Sequence, residues 1–222
     1  MTESLTQAIE TLQRSRSMLE PVLASFEKRV AQFGADPRSA FWKDEEWQKR
    51  RYDILARLFD EPDRLGGISI TDFGCGYGAF FDYLADRPVM SGSRYTGIDM
   101  SAAMIEEANA RIRDPRAAFR RHLIATETAD YTFVCGTYNM NLGANRGEWA
   151  DYVKASLEQL WSKTTKAMGF NMLRLDAPDQ YPGLYYADGI EFIKFCSETL
   201  SPDVTYTDDR PLPDWTIFVR RT

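Results

Sequence analysis

Thr71-Asp72-Phe73-Gly74-Cys75-Gly76-Tyr77-Gly78-Ala79-Phe80 decides how the rest of the chain is read. Ile68 to Phe73 has strand character and runs straight into glycines at alternate positions. A helix is expected next, from about Ala79 to Ala85. Glycine suits such a turn because the backbone bends sharply and a ligand can approach with no Cβ in the way. A strand, a glycine turn and a helix in that order put a binding crevice at the carboxyl end of a sheet.

Outward from this turn the pattern keeps alternating. Tyr95 to Ile98, Phe119 to Ile124, Tyr131 to Thr137 and Ala167 to Leu173 read as further strands. Helices are expected over Ser101–Ile112, from about Arg146 to Trp161, and over Ile190–Leu200. Val204 to Thr207 and Trp215 to Val219 close the chain as two strands, with Pro211 and Pro213 between them. That connection is too short for a crossover helix, so one of the pair should run antiparallel. The fold class is therefore α/β: a seven-stranded, mostly parallel sheet flanked by helices. Residues 65–222 form this domain, and residues 1–64 form an N-terminal helical extension. In the extension, Leu5, Ile9, Leu12, Leu19, Leu23, Phe26, Val30 and Phe33 mark one helical stripe, with Arg16 interrupting it. Pro21 should kink that helix or start a second one, and Gly34 should end it. The stripe could pack on its own domain, cover the crevice, or pair with a second copy as a homodimer. A second helix, from about Asp44 to Phe59, has Asp44 as its N-cap.

With 222 residues, a net charge of −6 and 44% hydrophobic residues, the chain reads as a globular protein with an ample core. An acidic balance argues against a broad nucleic-acid surface. No run approaches the roughly 18 apolar residues of a membrane span, and no signal peptide is apparent, so the expected address is cytoplasmic. The three cysteines, Cys75, Cys135 and Cys196, are too few and too widely spaced for a disulfide framework, and no C-x-x-C pair implies a metal. His122, the single histidine, fits a structural or surface place.

The glycine turn alone also satisfies the looser dinucleotide fingerprint, with Ala79 in the third place, so an NAD(P)-dependent oxidoreductase is one alternative. Asp99, about 20 positions beyond the glycines, can accept ribose hydroxyls in either kind of cofactor. Asp72 separates the two, because a carboxylate beside the turn would repel a pyrophosphate and attract a cation. In context, Asp72–Gly78 followed by Tyr95-Thr96-Gly97-Ile98-Asp99-Met100-Ser101 resembles motifs I and II of the class I methyltransferases. Cys135-Gly136-Thr137-Tyr138-Asn139-Met140 resembles their fourth-strand motif. The likeness spans about residues 42 to 221. It departs at Ile124-Ala125-Thr126-Glu127, where many members carry an acid near the adenine amine.

The resemblance implies S-adenosylmethionine as cofactor and methyl transfer to an acceptor, here a small molecule. It implies that Gly74, Cys75 and Gly76 receive the methionyl part and that Asp72 helps hold its amino group. Asp99 would take the ribose, Met100 would pack on adenine, and the backbone at Cys135 and Gly136 would lie near the methionyl group. The segment Trp42…Gln48-Lys49-Arg50-Arg51-Tyr52 resembles the helix before the sheet in small-molecule members, where Arg51 would clamp the cofactor carboxylate. From their place after the fourth and fifth strands, Tyr138 and Asn139 are candidates to orient the acceptor. Tyr181, Tyr185 and Tyr186 are candidates to line its pocket. No paired acid and base stands out as a proton-transfer device. A non-catalytic S-adenosylmethionine-binding protein is the other alternative.

Overall fold

A computed structural model describes residues 3–222. Its strands are β1 (Ser69–Phe73), β2 (Arg94–Asp99), β3 (Ala117–Arg121), β4 (Ala129–Cys135), β5 (Thr164–Arg174), β6 (Tyr186–Ala187), β7 (Val204–Asp208) and β8 (Asp214–Arg220). Seven of them form a sheet in the order β3-β2-β1-β4-β5-β8-β7. The eighth, β6, adds a short pairing to β5 that alternation alone does not predict. β8 is antiparallel to both β5 and β7, as the short last connection requires. β1 lies between β2 and β4, so the glycine turn leaves the sheet at its centre.

Period-two alternation sends neighbouring residues of each strand into different layers. Tyr131 and Phe133 pack with Ile70 on the face covered by α3 (Glu45–Leu55), α4 (Ala79–Ala85) and α5 (Ala102–Arg111). Val134, Met168 and Phe170 pack on the other face with α6 (Arg146–Trp161) and α7 (Gly189–Phe195). Leu55 and Leu58 are fully buried in the same cluster as Ile70, so α3 is a layer of the sheet domain itself. Asp44 caps α3 as expected, accepting from the Trp47 N–H at 2.8 Å. Ser101 caps α5 in the same way at 3.2 Å.

The N-terminal stripe forms α1 (Glu3–Arg14) and α2 (Arg16–Phe33), and the break between them differs from the expectation at Pro21. The chain turns at Ser15, whose hydroxyl bonds the Thr11 carbonyl at 2.9 Å. Pro21 is inside α2, where its missing N–H frees one carbonyl near an exposed end of the helix. Gly34 ends α2 at φ 60, giving its N–H to the Val30 carbonyl at 2.8 Å. The stripe is used within the chain. Ala8 and Leu12 of α1 are buried on the α6 side, and Leu19, Val22 and Val30 of α2 are buried above the centre of the sheet.

Candidate active site

The turn after β1 uses its glycines in two ways. Gly74, at φ 77, has no room for a side chain, because a Cβ there would lie 2.2 Å from the Thr137 hydroxyl. Thr137 in turn donates to the Phe73 carbonyl at 3.0 Å, so this glycine knits the β1 and β4 ends together. Gly76, at φ 54, is different: its missing Cβ would meet nothing closer than the Met104 sulfur at 3.8 Å. Open space lies over Gly76, which leaves its backbone free for a ligand.

Two carboxylates flank that space. Asp72 is 2% exposed and accepts a hydrogen bond from the Tyr95 hydroxyl. Burial pushes its carboxyl up to about 7, and the Asp99 charge adds to this while the Tyr95 bond opposes it. Asp99 closes β2. One of its oxygens accepts from the Gly76 N–H at 2.9 Å and the other from the Ser101 N–H at 2.8 Å. Burial raises its pKa as well, against the pull of those backbone donors. Each carboxylate oxygen keeps a lone pair for another donor. Burial also pushes the Cys75 and Cys135 thiols well up, so both behave as apolar filler.

Asp72, Gly74, Cys75, Gly76, Asp99, Met100, Cys135 and Gly136 all wall one chamber, roofed by Leu19, Val22 and Phe26 of α2. A second cavity, of about 1140 Å³, adjoins it. Trp47, Asn139, Met140, Tyr181 and Tyr186 wall this cavity, and Arg174 and Arg210 lie at its side. Phe26, Ala40, Trp42 and Gly136 belong to both walls.

Three expected residues are placed elsewhere. Tyr138 is fully buried; its hydroxyl pairs with Ser156 at 2.8 Å and its carbonyl accepts from the Trp149 indole at 3.0 Å. It belongs to the core under α6 and faces neither chamber. Tyr185 is also buried, with the Arg146 guanidinium 4.9 Å from its ring centre. The backbone bridge between Met140 and Leu184 sets the alternation there, so Tyr186 faces the cavity and Tyr185 faces inward. Arg51 is 4% exposed and forms an ion pair with Asp214. It also donates to the Trp47 carbonyl at 2.9 Å. Its side chain borders the second cavity, and its charge is matched by Asp214 inside the protein. Asn139 does reach the cavity, with its side-chain oxygen fixed by the Leu173 N–H at 3.0 Å. His122 lies at the rim of the first chamber, and its N–H donates to the Asp99 carbonyl at 3.0 Å.

The sequence reading missed the individual roof residues of α2 and the part played by Trp42, Tyr52, Trp149 and Tyr152, all on the first chamber's wall. The stripe in α2 signalled a buried face, with covering the crevice as one of its alternatives, without singling out which residues face the chamber. Among the described residues, no cluster of His, Cys, Asp and Glu could hold a metal ion. No helix among them is long and apolar enough to cross a membrane.

The sequence profile described as "Methyltransferase domain" matches residues 70–160. A Mycobacterium tuberculosis (strain ATCC 25618 / H37Rv) protein named "Putative methyltransferase Rv1506c" is 35% identical over 157 residues, covering 69% of this chain and 93% of that one. Among solved structures, the DhpI-SAM-HEP complex superposes with a TM-score of 0.64 at 14% identity, covering 94% of this chain and 99% of that one. The magnesium protoporphyrin IX methyltransferase ChlM from Synechocystis PCC 6803, with bound SAH, gives 0.63 at 13% identity, covering 96% and 100%. These two likenesses concern the fold. With the relative and the glycine turn, they place the chain in the methyltransferase family. It is a methyltransferase with the class I fold, and the oxidoreductase alternative is set aside. The lining suits S-adenosylmethionine by its chemistry, although only about 90 Å³ is free beneath the α2 roof: among the described residues no cation pairs with the buried Asp72 carboxylate, which a positively charged group would stabilise.

Proposed function

We propose that this methyltransferase acts on a small molecule held in the second cavity, with S-adenosylmethionine in the chamber of Asp72 and Asp99. The observation that carries this reading is the shared wall: a cavity of about 1140 Å³ meets the carboxylate chamber at Trp42 and Gly136. Cavities of this size hold whole small molecules. When bound, the cofactor supplies a methyl group on a positively charged sulfur, ready for in-line displacement.

The chain's own residues do the positioning. Asp99 accepts the ribose hydroxyls with the lone pairs that Gly76 and Ser101 leave free. Asp72, in its ionised form, holds the amino group. The turn Gly74–Gly76, open over Gly76, and the Cys135–Gly136 backbone receive the methionyl portion, and Met100 packs on adenine. Asn139, Tyr181 and Tyr186 orient the acceptor. Holding two reactants in line can supply roughly 7–11 kcal/mol of the barrier.

The test incubates the purified protein with methyl-labelled S-adenosylmethionine and three acceptor pools: small metabolites, bulk tRNA and unfractionated protein. Label in the small-molecule pool is expected. Transfer confined to tRNA or protein would sink the small-molecule reading.

A further inference from the structure

Trp42 stands at the wall the two chambers share; two parts of the fold meet its indole and a third holds its neighbour Phe41. The loop after β4 supplies bare backbone: a Cβ on Gly136 would lie 2.4 Å from the far edge of the indole. That glycine is held in place by the Asn171 side chain, which accepts its N–H at 2.8 Å. From α3, the Arg51 guanidinium lies 4.7 Å from the indole centre, itself anchored by Asp214 and the Trp47 carbonyl. The third support is the roof. Phe41, next to Trp42, takes a left-handed φ of 59 and sets its ring edge-on to Phe26 of α2 at 5.4 Å.

We propose that Trp42 is the partition between the two chambers and fixes the line along which an acceptor meets the methyl group, a role that rests on the chamber assignment above. Its chemistry suits the place. A flat π face attracts a cationic group, and a carbon-rich ring excludes water without offering a competing nucleophile. Gly136 and Arg51 are the positioning residues: one leaves room for the ring and the other stacks against it. The partition also ties the roof to the chemistry, since the segment bearing Trp42 is locked to α2 through Phe41.

The experiment measures the affinity and release rate of S-adenosylhomocysteine for the native protein, Trp42→Ala and Trp42→Phe, with the thermal midpoint recorded for each. Trp42→Ala is expected to release the compound roughly tenfold faster, with Trp42→Phe in between. Gly136→Ala forms the second arm. It should speed release more in the native background, where the new methyl also displaces the indole, than in Trp42→Ala, where only the strain of a side chain at φ 67 remains. Should Trp42→Ala fail to fold, Trp42→Phe carries the same comparison. Release within about twofold of native for the Trp42 variants overturns the partition. An equal Gly136→Ala effect in both backgrounds overturns it too, and both outcomes leave the chamber assignment standing. A native protein that does not bind S-adenosylhomocysteine would instead remove the assignment, and the partition with it.

Discussion

The floor of the chamber, with Asp72 and Asp99, is built by the ends of three neighbouring parallel strands, β1, β2 and β4, beneath sides and a roof from the helices. The cavity of Tyr181 and Tyr186 is walled instead by pieces drawn from α2, α3, the tips of β4 and β5, the loop before β6, and Pro211–Pro213. In the first, position along a strand is enough to aim a side chain. In the second, direction depends on how distant segments come to rest on each other. Cofactor recognition is thus built on the rigid centre of the sheet, and acceptor recognition on connections that can vary without disturbing it.

Four substitutions probe that division, beginning with the largest effect. Arg51 sits on the border, and its ion pair with Asp214 is buried on both sides. Arg51→Ala leaves the carboxylate unpaired and should cost about 3–5 kcal/mol of stability in denaturant unfolding. A loss below about 1 kcal/mol would mean that water reaches the pair and that Arg51 is free for other duties. Asp99→Ala removes an ionised acceptor from the first chamber. We expect S-adenosylhomocysteine affinity to fall by about a hundredfold in calorimetry, as two charged hydrogen bonds imply. An unchanged affinity would dissolve the distinction between the chambers.

Asp72 gives the comparison a pH axis. Its pKa is raised to about 7 by burial, so the native fold gains from the protonated form, and that gain is lost as pH rises from about 4 through 7. Asp72→Asn, neutral throughout, should therefore melt higher than the native protein at pH 8, and the gap should shrink toward pH 5. Each tenfold change in proton affinity is worth about 1.4 kcal/mol, so the gap amounts to a few kcal/mol. Binding runs the other way. Native affinity for the cationic cofactor should rise with pH through about 7, while the variant stays flat and weaker. A melting gap that does not vary with pH would show that Asp72 is not protonated in the free protein. The smallest effect belongs to the other chamber. Tyr181 is 64% exposed, so Tyr181→Ala should raise the acceptor KM by about threefold at most and leave S-adenosylhomocysteine binding untouched. A loss of cofactor affinity would place that loop on the wrong side of the partition.

The same division explains what the amino-acid sequence discloses. Asp72, Gly76 and Asp99 are legible because each sits at the end of a strand or in the turn that follows it, and the structure gathers them around one space. That one of the last two strands runs antiparallel follows from the short connection between them in the same way, whereas the order of the strands appears only in the structure. Tyr138 and Tyr185 are misread from sequence because aromatic character does not reveal direction. One hydroxyl meets Ser156 and the other ring meets Arg146, and both partners lie on or beside a helix whose packing no local pattern encodes. Arg51 is misread for a related reason: its partner Asp214 is 163 positions away. The place where the N-terminal helix breaks is also hidden. Proline is a conspicuous breaker, yet a serine hydroxyl turned back onto Thr11 marks the actual bend.

The roof over Asp72 and Asp99 has an unequal start in life. Its helix α2 and the preceding α1 leave the ribosome well before the elements they rest on: Ser4 of α1 bonds Glu158 of α6, separated by 154 positions. Until α5 and α6 have emerged, the apolar sides of Leu12, Leu19 and Val22 have nothing native to rest upon. The roof thus docks long after it is made, and the crevice it covers stays accessible until α6 has emerged.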